Sequence, residues 1–88
     1  MQKEKAIDKI RNVAKTYGRE KLASVINTIC DIKKTVQELQ TKSPIEETAK
    51  CETLRDLDTV VLNVAVLATS NGYESPVKLA DIKSIIES

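Results

Sequence analysis

The sequence predicts an all-α fold, a bundle of three or four helices built around a long antiparallel helical hairpin. One observation is an apolar residue at every third or fourth position through the middle of the chain, the spacing of one helix face. These apolar residues are Leu22, Val25, Ile29, Ile32, Val36 and Leu39. The other is the segment Ser43-Pro44-Ile45-Glu46, whose serine, proline and glutamate form a helix-start signal. One long helix therefore ends in a tight turn, and a second begins there and folds back.

The first half of the chain predicts two helices. The first covers about residues 3–17 and is followed by Gly18, a C-terminal stop. Its apolar stripe consists of Ala6, Ile7, Ile10, Val13, Ala14 and Tyr17. The second helix, over about residues 19–41, carries the stripe described above. That stripe lasts only about two and a half heptads, which favours antiparallel helix packing over an extended coiled coil.

The second half predicts two more helices. The third runs from about residue 44 to 70 and ends at Asn71-Gly72, a pair typical of helix stops. Ser75-Pro76 repeats the serine–proline start signal and opens a fourth helix over about 76–87. The apolar side of that helix is formed by Val77, Ala80, Ile82, Ile85 and Ile86.

The third helix contains a segment that is apolar on almost every side, from Val60 to Ala68, with Asn63 as its polar residue. A helix that is apolar all round is normally buried all round. The second helix covers one face only, so the first and fourth helices, or a second subunit, must cover the rest. We expect Asn63 to be a buried polar group with a hydrogen-bond partner.

Charge is divided between the two halves of the chain. Residues 1–42 hold ten Lys and Arg against five Asp and Glu, whereas residues 43–88 hold four against eight. Folding the chain at residues 42–43 places Lys33 near Glu52 and Asp31 near Arg55. The basic and acidic halves are then the two flanks of one hairpin.

Composition excludes several classes of function. The chain has 88 residues, with two Tyr and no Trp, Phe or His. An aromatic platform for stacking nucleic-acid bases is therefore excluded, and without a uniformly basic charge we expect no duplex nucleic-acid partner. A chain of this length forms one domain, residues 1–88, which is marginal alone and gains from self-association, so we expect a homo-oligomer.

The sequence also bears on the compartment. No apolar run approaches the roughly 18–20 residues of a membrane span, and no apolar signal core follows Met1, so we expect no membrane partner and a cytoplasmic location. Cys30 and Cys51 fit a reducing compartment. The hairpin register separates them too far for a disulfide, and we expect both to be small buried residues.

Enzyme chemistry finds little support. The segment Leu54-Arg55-Asp56-Leu57-Asp58 resembles the metal-binding helix of MazG-type nucleotide pyrophosphohydrolases. Those enzymes hold magnesium with Glu-x-x-Glu and Glu-x-x-Asp pairs, and no Glu of this chain has an acidic residue three positions on. Asp56 and Asp58 lie on different sides of a helix. We therefore expect no catalytic residue, no metal and no cofactor.

One end of the bundle collects the residue types that most often bind ligands. The end of the first helix, the start of the second, the end of the third and the start of the fourth all meet there. The candidate ligand-binding residues are Tyr17, Arg19, Lys21, Asn71, Tyr73, Ser75 and Lys78. A planar anion such as a nucleotide could stack on a tyrosine and be held by a basic side chain. The alternative is that both tyrosines only fasten helix ends to the core.

The hairpin resembles a family of small phage proteins that counter bacterial cyclic-nucleotide (CBASS-type) defence by sequestering the signal. Three segments carry the resemblance, in this order: Pro44-Ile45-Glu46-Glu47, then Leu54 to Asp58, then the apolar run Val60 to Ala68. The resemblance implies a helical hairpin that assembles into oligomers and binds cyclic oligonucleotides. It covers about residues 20–70, and no family ligand residue falls on a matching position.

These observations predict a non-catalytic binding protein that sequesters a cyclic nucleotide or similar small anion, in the host-cell cytoplasm if it comes from a phage. The alternative is a small helical protein–protein adaptor or inhibitor, which uses the spare apolar face of the second and third helices on a partner helix. A degenerate MazG-like pyrophosphohydrolase is a remote alternative.

Overall fold

The computed structural model describes residues 2–73 and 77–87, and it confirms the all-α bundle. Within these ranges the chain forms four helices and no strand. The helices are α1 (Gln2–Thr16), α2 (Glu20–Glu38), α3 (Pro44–Thr69) and α4 (Leu79–Ile86). None of the described helices is long and apolar enough to cross a membrane.

The core lies where α1 and α4 pack against the α2–α3 hairpin. α2 and α3 make the most extensive contact, α1 contacts both of them, and α4 packs on α1 and α3. The buried apolar side chains are Ala6, Ile7, Ile10, Ala14, Ala23, Ile26, Ile29, Val61, Ala65, Ala68, Val77, Ile82 and Ile85. All of them are Ala, Val or Ile, and the buried polar side chain among the described residues is Thr69, whose hydroxyl donates a 2.7 Å hydrogen bond to the carbonyl of Ala65.

Local chemistry explains two helix boundaries that the sequence predicted. Gly18 has a φ of 71°, and it ends α1 with the backbone bonds Gly18 N to Lys15 O and Arg19 N to Ala14 O, which form a Schellman motif. The hydroxyl of Ser43 accepts a hydrogen bond of 3.2 Å from the backbone N–H of Glu46 and caps α3. Both signals act within a few residues, so they do not depend on the rest of the fold.

Two other boundaries differ from the prediction. α2 ends at Glu38 rather than at about residue 41, because Leu39 has an extended backbone (φ −67°, ψ 129°). α4 begins at Leu79 rather than at 76, and Lys78 precedes it in an extended conformation while Val77 is buried in the core. The proposed start signal Ser75-Pro76 lies outside the described residues.

The connection between α2 and α3 sets a register different from the predicted one. Lys50 Nζ donates a 2.9 Å hydrogen bond to the carbonyl of Leu39, so the first turns of α3 extend past the end of α2. Thr41 Oγ1 donates to Glu47 Oε2 at 2.5 Å, which lowers the pKa of Glu47 below its usual range. The chain from 39 to 43 thus runs beside the first turns of α3 instead of turning tightly.

This shift changes the ion pairs. Lys33 Nζ lies 2.5 Å from Asp58 Oδ1 rather than near Glu52, and Arg55 pairs with Glu52 on its own helix rather than with Asp31. The predicted cross-hairpin pairs are therefore wrong, because the prediction assumed a tight turn at residues 42–43.

α4 is fastened to α1 by a surface ion pair. Lys9 Nζ lies 2.9 Å from Asp81 Oδ2 and donates a hydrogen bond to it, which lowers the pKa of the Asp81 carboxyl. Together with Lys33 Nζ, which donates to the carbonyl of Ile86 at 2.6 Å, this pair holds both ends of α4.

Several burial expectations are wrong. Asn63 is exposed, not buried, and Cys51 is also exposed, whereas Cys30 is half-buried. The segment from Val60 to Ala68 is not covered on all sides, since Val60, Val66 and Leu67 are each at least 42% exposed. The bundle leaves apolar surface of α3 uncovered.

Candidate functional site

The end of the bundle predicted to bind a ligand is organised by Arg19. Its Nη1 donates to the carbonyl of Leu67 at 2.6 Å and to that of Ser70 at 3.3 Å. These carbonyls lie at the C-terminal end of α3, where carbonyl groups lack partners within the helix. Arg19 therefore connects the α1–α2 turn to the end of α3, and part of its guanidinium is used for structure.

The two tyrosines lie at this end but differ in their surroundings. Tyr17 follows α1 and is 38% exposed, and its backbone N–H bonds back to α1. Tyr73 is 99% exposed, and its backbone N–H donates to the side-chain oxygen of Asn71 at 3.1 Å. The aromatic face of Tyr73 is therefore open to solvent and is not packed in a preformed stacking site.

The remaining predicted residues are spread along this end. Lys21 is exposed in the first turn of α2, and Lys78 is exposed at the start of α4. Ser75 lies outside the described residues. A shallow depression beside the α1–α2 turn is lined by Lys15, Gly18, Arg19, Glu20, Lys21 and Leu22. It brings Arg19 and Lys21 together with a further lysine, while neither tyrosine lines it.

The part of the chain that the structure describes shows no candidate metal-binding site. Residues 2–73 and 77–87 contain no group of three or more acidic or cysteine side chains placed to hold a metal ion. Asp58, one of the two aspartates compared with the MazG helix, is paired with Lys33.

A second candidate surface is the side of the α2–α3 hairpin that faces away from α1 and α4. Val25 and Ile32 are seven residues apart on α2 and form one row along that helix. Leu39, the first residue after α2, continues this row towards the α2–α3 turn. Glu46, Thr53, Val60 and Leu67 form a matching row with the same spacing on α3. The five aliphatic residues of these rows are between 42% and 59% exposed. We call the surface made by the two rows the hairpin face.

The two rows lie on the same side of the hairpin. A shallow apolar depression joins them near the α2–α3 turn, lined by Leu39 with Glu46 and Thr53, together with Val36, Ala49 and Lys50. The opposite side is the one that contacts α4, since Lys33 reaches both Asp58 and the carbonyl of Ile86. The hairpin face is therefore a largely apolar surface that α1 and α4 do not cover.

No family model, curated protein or solved structure matches this chain.

The hairpin face was not distinguished from the core by sequence pattern. Val25, Ile32 and Leu39 belong to the stripe that the sequence assigned to helix packing, and they are exposed. On α2 the core uses Ile29 of this stripe together with Ala23 and Ile26, which lie outside it. The signal was present as an apolar band on α2 wider than one neighbouring helix can cover.

Proposed function

We propose that this protein is a non-catalytic binding protein that works in the cytoplasm through protein–protein contact at the hairpin face. The observation that carries the proposal is the pair of exposed aliphatic rows on α2 and α3. Single exposed apolar residues are ordinary, but a contiguous apolar surface on a folded chain marks an interaction site. Five aliphatic side chains in two parallel rows form such a surface.

The shape of the face indicates the kind of partner. The two antiparallel helices lie side by side and leave a shallow groove, and half-buried Val36, Leu57 and Val64 lie between the exposed rows. An amphipathic helix binds such a groove through apolar residues three, four and seven positions apart. We therefore propose a helical partner surface rather than an extended peptide, which would need an open strand edge.

A displayed library of amphipathic helices tests this proposal. Helices selected for binding to the wild-type protein should no longer capture the Val60→Lys variant, because the lysine must be desolvated on binding. Val66→Lys is the matched control, since Val66 is the same residue type on the same helix and is equally exposed at 42%, but lies outside the two rows. Equal capture by both variants would contradict the proposal.

Sequestration of a cyclic nucleotide or similar anion is the second candidate. It is supported by the exposure of both tyrosines at the end of the bundle that also carries Lys15 and Lys21. A thermal-shift scan against mono-, di- and cyclic nucleotides tests it, because a site filled at a hundred times its Kd adds about 2.7 kcal/mol to the free energy of unfolding. A shift that Tyr73→Ala abolishes would support this candidate, and a flat panel would reject it.

A further inference from the structure

We propose that the occupant of the hairpin face is a second copy of this chain. The two copies are related by a two-fold axis perpendicular to the helices, so each helix of the hairpin runs antiparallel to its own copy. This proposal rests on the proposed function, since it names the partner of the same surface. Two hairpins then pack face to face, with α2 and α3 of one copy on α2 and α3 of the other. The rows of the hairpin face become the centre of a four-helix layer.

The size of the face fits a dimer. α2 has 19 residues and lies along α3. At about 1.5 Å per residue and about 8–10 Å between helix axes, the shared surface measures roughly 28 Å by 20 Å, or about 550 Å² in projection. Side chains that interdigitate bury more than the projected area, so this approaches the ~800 Å² per partner of a standard stable interface. A single partner helix would cover about half of it.

The composition of the face is self-complementary. Between its two ends the rows contain only Val, Ile, Leu and Thr. Thr28 and Thr35 are exposed beside the α2 row, and Asp56 and Asn63 are exposed beside the α3 row. A two-fold axis places the same surface on both partners, so a charge near the centre would meet its own copy. The two rows carry no charge between their ends, and Asp56 lies at the outer edge of the α3 row.

The charges at the two ends select the antiparallel orientation. Lys21 lies one turn before Val25, at the end where Arg19 contacts Leu67. Glu46 lies at the opposite end beside Leu39, where the nearby Lys50 ammonium is engaged by the Leu39 carbonyl. A two-fold axis perpendicular to the helices brings Lys21 of one copy and Glu46 of the other to the same end of the interface. A two-fold axis parallel to the helices would bring the two Lys21 together at one end and the two Glu46 together at the other.

The dimer also accounts for the exposed aliphatic residues. A chain of 88 residues buries a modest share of its surface alone, and a second copy covers the rows that α1 and α4 leave open. Association on this face needs no rearrangement of the bundle, because the rows are already aligned in the single chain.

Sedimentation equilibrium of the full chain tests the proposal. Wild type and Val66→Lys should sediment as dimers with the same Kd, whereas Val60→Lys and Ile32→Lys should raise the Kd about tenfold or more. Circular dichroism checks that each variant keeps wild-type helicity, and since these side chains are already exposed the single chain should fold normally. A dimer that Val60→Lys and Ile32→Lys leave unchanged would overturn the proposal.

The orientation has its own test. Lys21→Glu and Glu46→Lys should each raise the dimer Kd several-fold, and the double variant should return it towards the wild-type value. Additive losses in the double variant would overturn the antiparallel arrangement.

The two proposals fail in different ways. A monomeric wild type that still captures displayed helices through Val60 would overturn the dimer and leave the protein-binding function standing. A monomeric wild type that captures no helix would overturn both.

Discussion

The ammonium of Lys33 lies 2.5 Å from Oδ1 of Asp58 and joins α2 to α3 at the middle of the hairpin. The same nitrogen donates a hydrogen bond to the carbonyl of Ile86 at the end of α4. The Lys33 side chain is only 14% exposed, so this ion pair is shielded from solvent more than the others in the described part of the chain. One lysine thus fixes the relative position of three helices.

Removing the Lys33 ammonium should destabilise the folded chain. Lys33→Met keeps the apolar stem but leaves a half-buried carboxylate and a helix-terminal carbonyl without their cation. We expect the free energy of unfolding to fall by about 2 kcal/mol, measured by urea denaturation at fixed protein concentration. Arg55→Met is the control, because its pair with Glu52 is exposed and should contribute about 0.5 kcal/mol or less. Equal losses for the two variants would contradict the role given to Lys33.

We expect Arg19 to stabilise the fold whether or not a ligand is bound. Arg19→Ala removes both hydrogen bonds to the end of α3, and we expect a loss of about 1–2 kcal/mol in the free energy of unfolding. Arg19→Lys should recover part of this, because lysine can still donate to one carbonyl. Lys21→Ala, two positions away and exposed, should change the melting temperature little. A wild-type melting temperature for Arg19→Ala, with nucleotide binding lost, would instead favour the sequestration hypothesis.

Replacing serine by alanine should have opposite effects at the cap of α3 and inside α2. Ser43→Ala removes the acceptor for the Glu46 N–H and should lower the free energy of unfolding by about 1 kcal/mol. Ser43→Asp should keep the wild-type stability, because its carboxylate can accept the same hydrogen bond at the N-terminus of the helix. Ser24 lies inside α2, and its hydroxyl bonds the carbonyl of Glu20 on the same helix. Ser24→Ala should therefore be neutral or slightly stabilising, because alanine favours the helix interior. Urea denaturation of the three variants measures the contrast.

The Lys9–Asp81 pair predicts a pH dependence. The hydrogen bond from Lys9 lowers the pKa of Asp81 in the folded chain below its unfolded value, so the pair stabilises the fold above the unfolded pKa of about 3.9. That stability is lost as the pH falls through the lowered pKa. Asp81→Asn should therefore melt below wild type at neutral pH, by a margin that shrinks as the pH is lowered below about 3.9. A difference that persists unchanged at the lower pH would show that charge is not its cause.

The sequence predicted the elements whose signals are local. Gly18 and Ser43 mark helix boundaries through contacts within a few residues, and the structure places α1 and α3 where these residues require. The all-α class followed from the same signals together with apolar periodicity. Such contacts form whatever the rest of the chain does.

The register and the hairpin face depended on contacts distant in sequence. The extended backbone of Leu39 is stabilised by Lys50 and by the Thr41–Glu47 contact, so it could not be inferred from residues 39–43 alone. Likewise, periodicity showed that α2 has an apolar band but not which part of the band α1 would cover. At the predicted ligand end, the charge of Arg19 indicates an anion-binding role, whereas its contact with α3 depends on the assembled bundle.

The extension of α3 past the end of α2 makes the hairpin connection a permissive place for changes in chain length. Register is held in the body of the hairpin by Lys33 and Asp58, so residues 39–43 can lengthen without moving the core. Doubling a flexible loop costs only about 0.6 kcal/mol in closure entropy. A fluorophore, an affinity tag or an inserted domain placed at Gln40 or Lys42 should therefore leave the bundle intact.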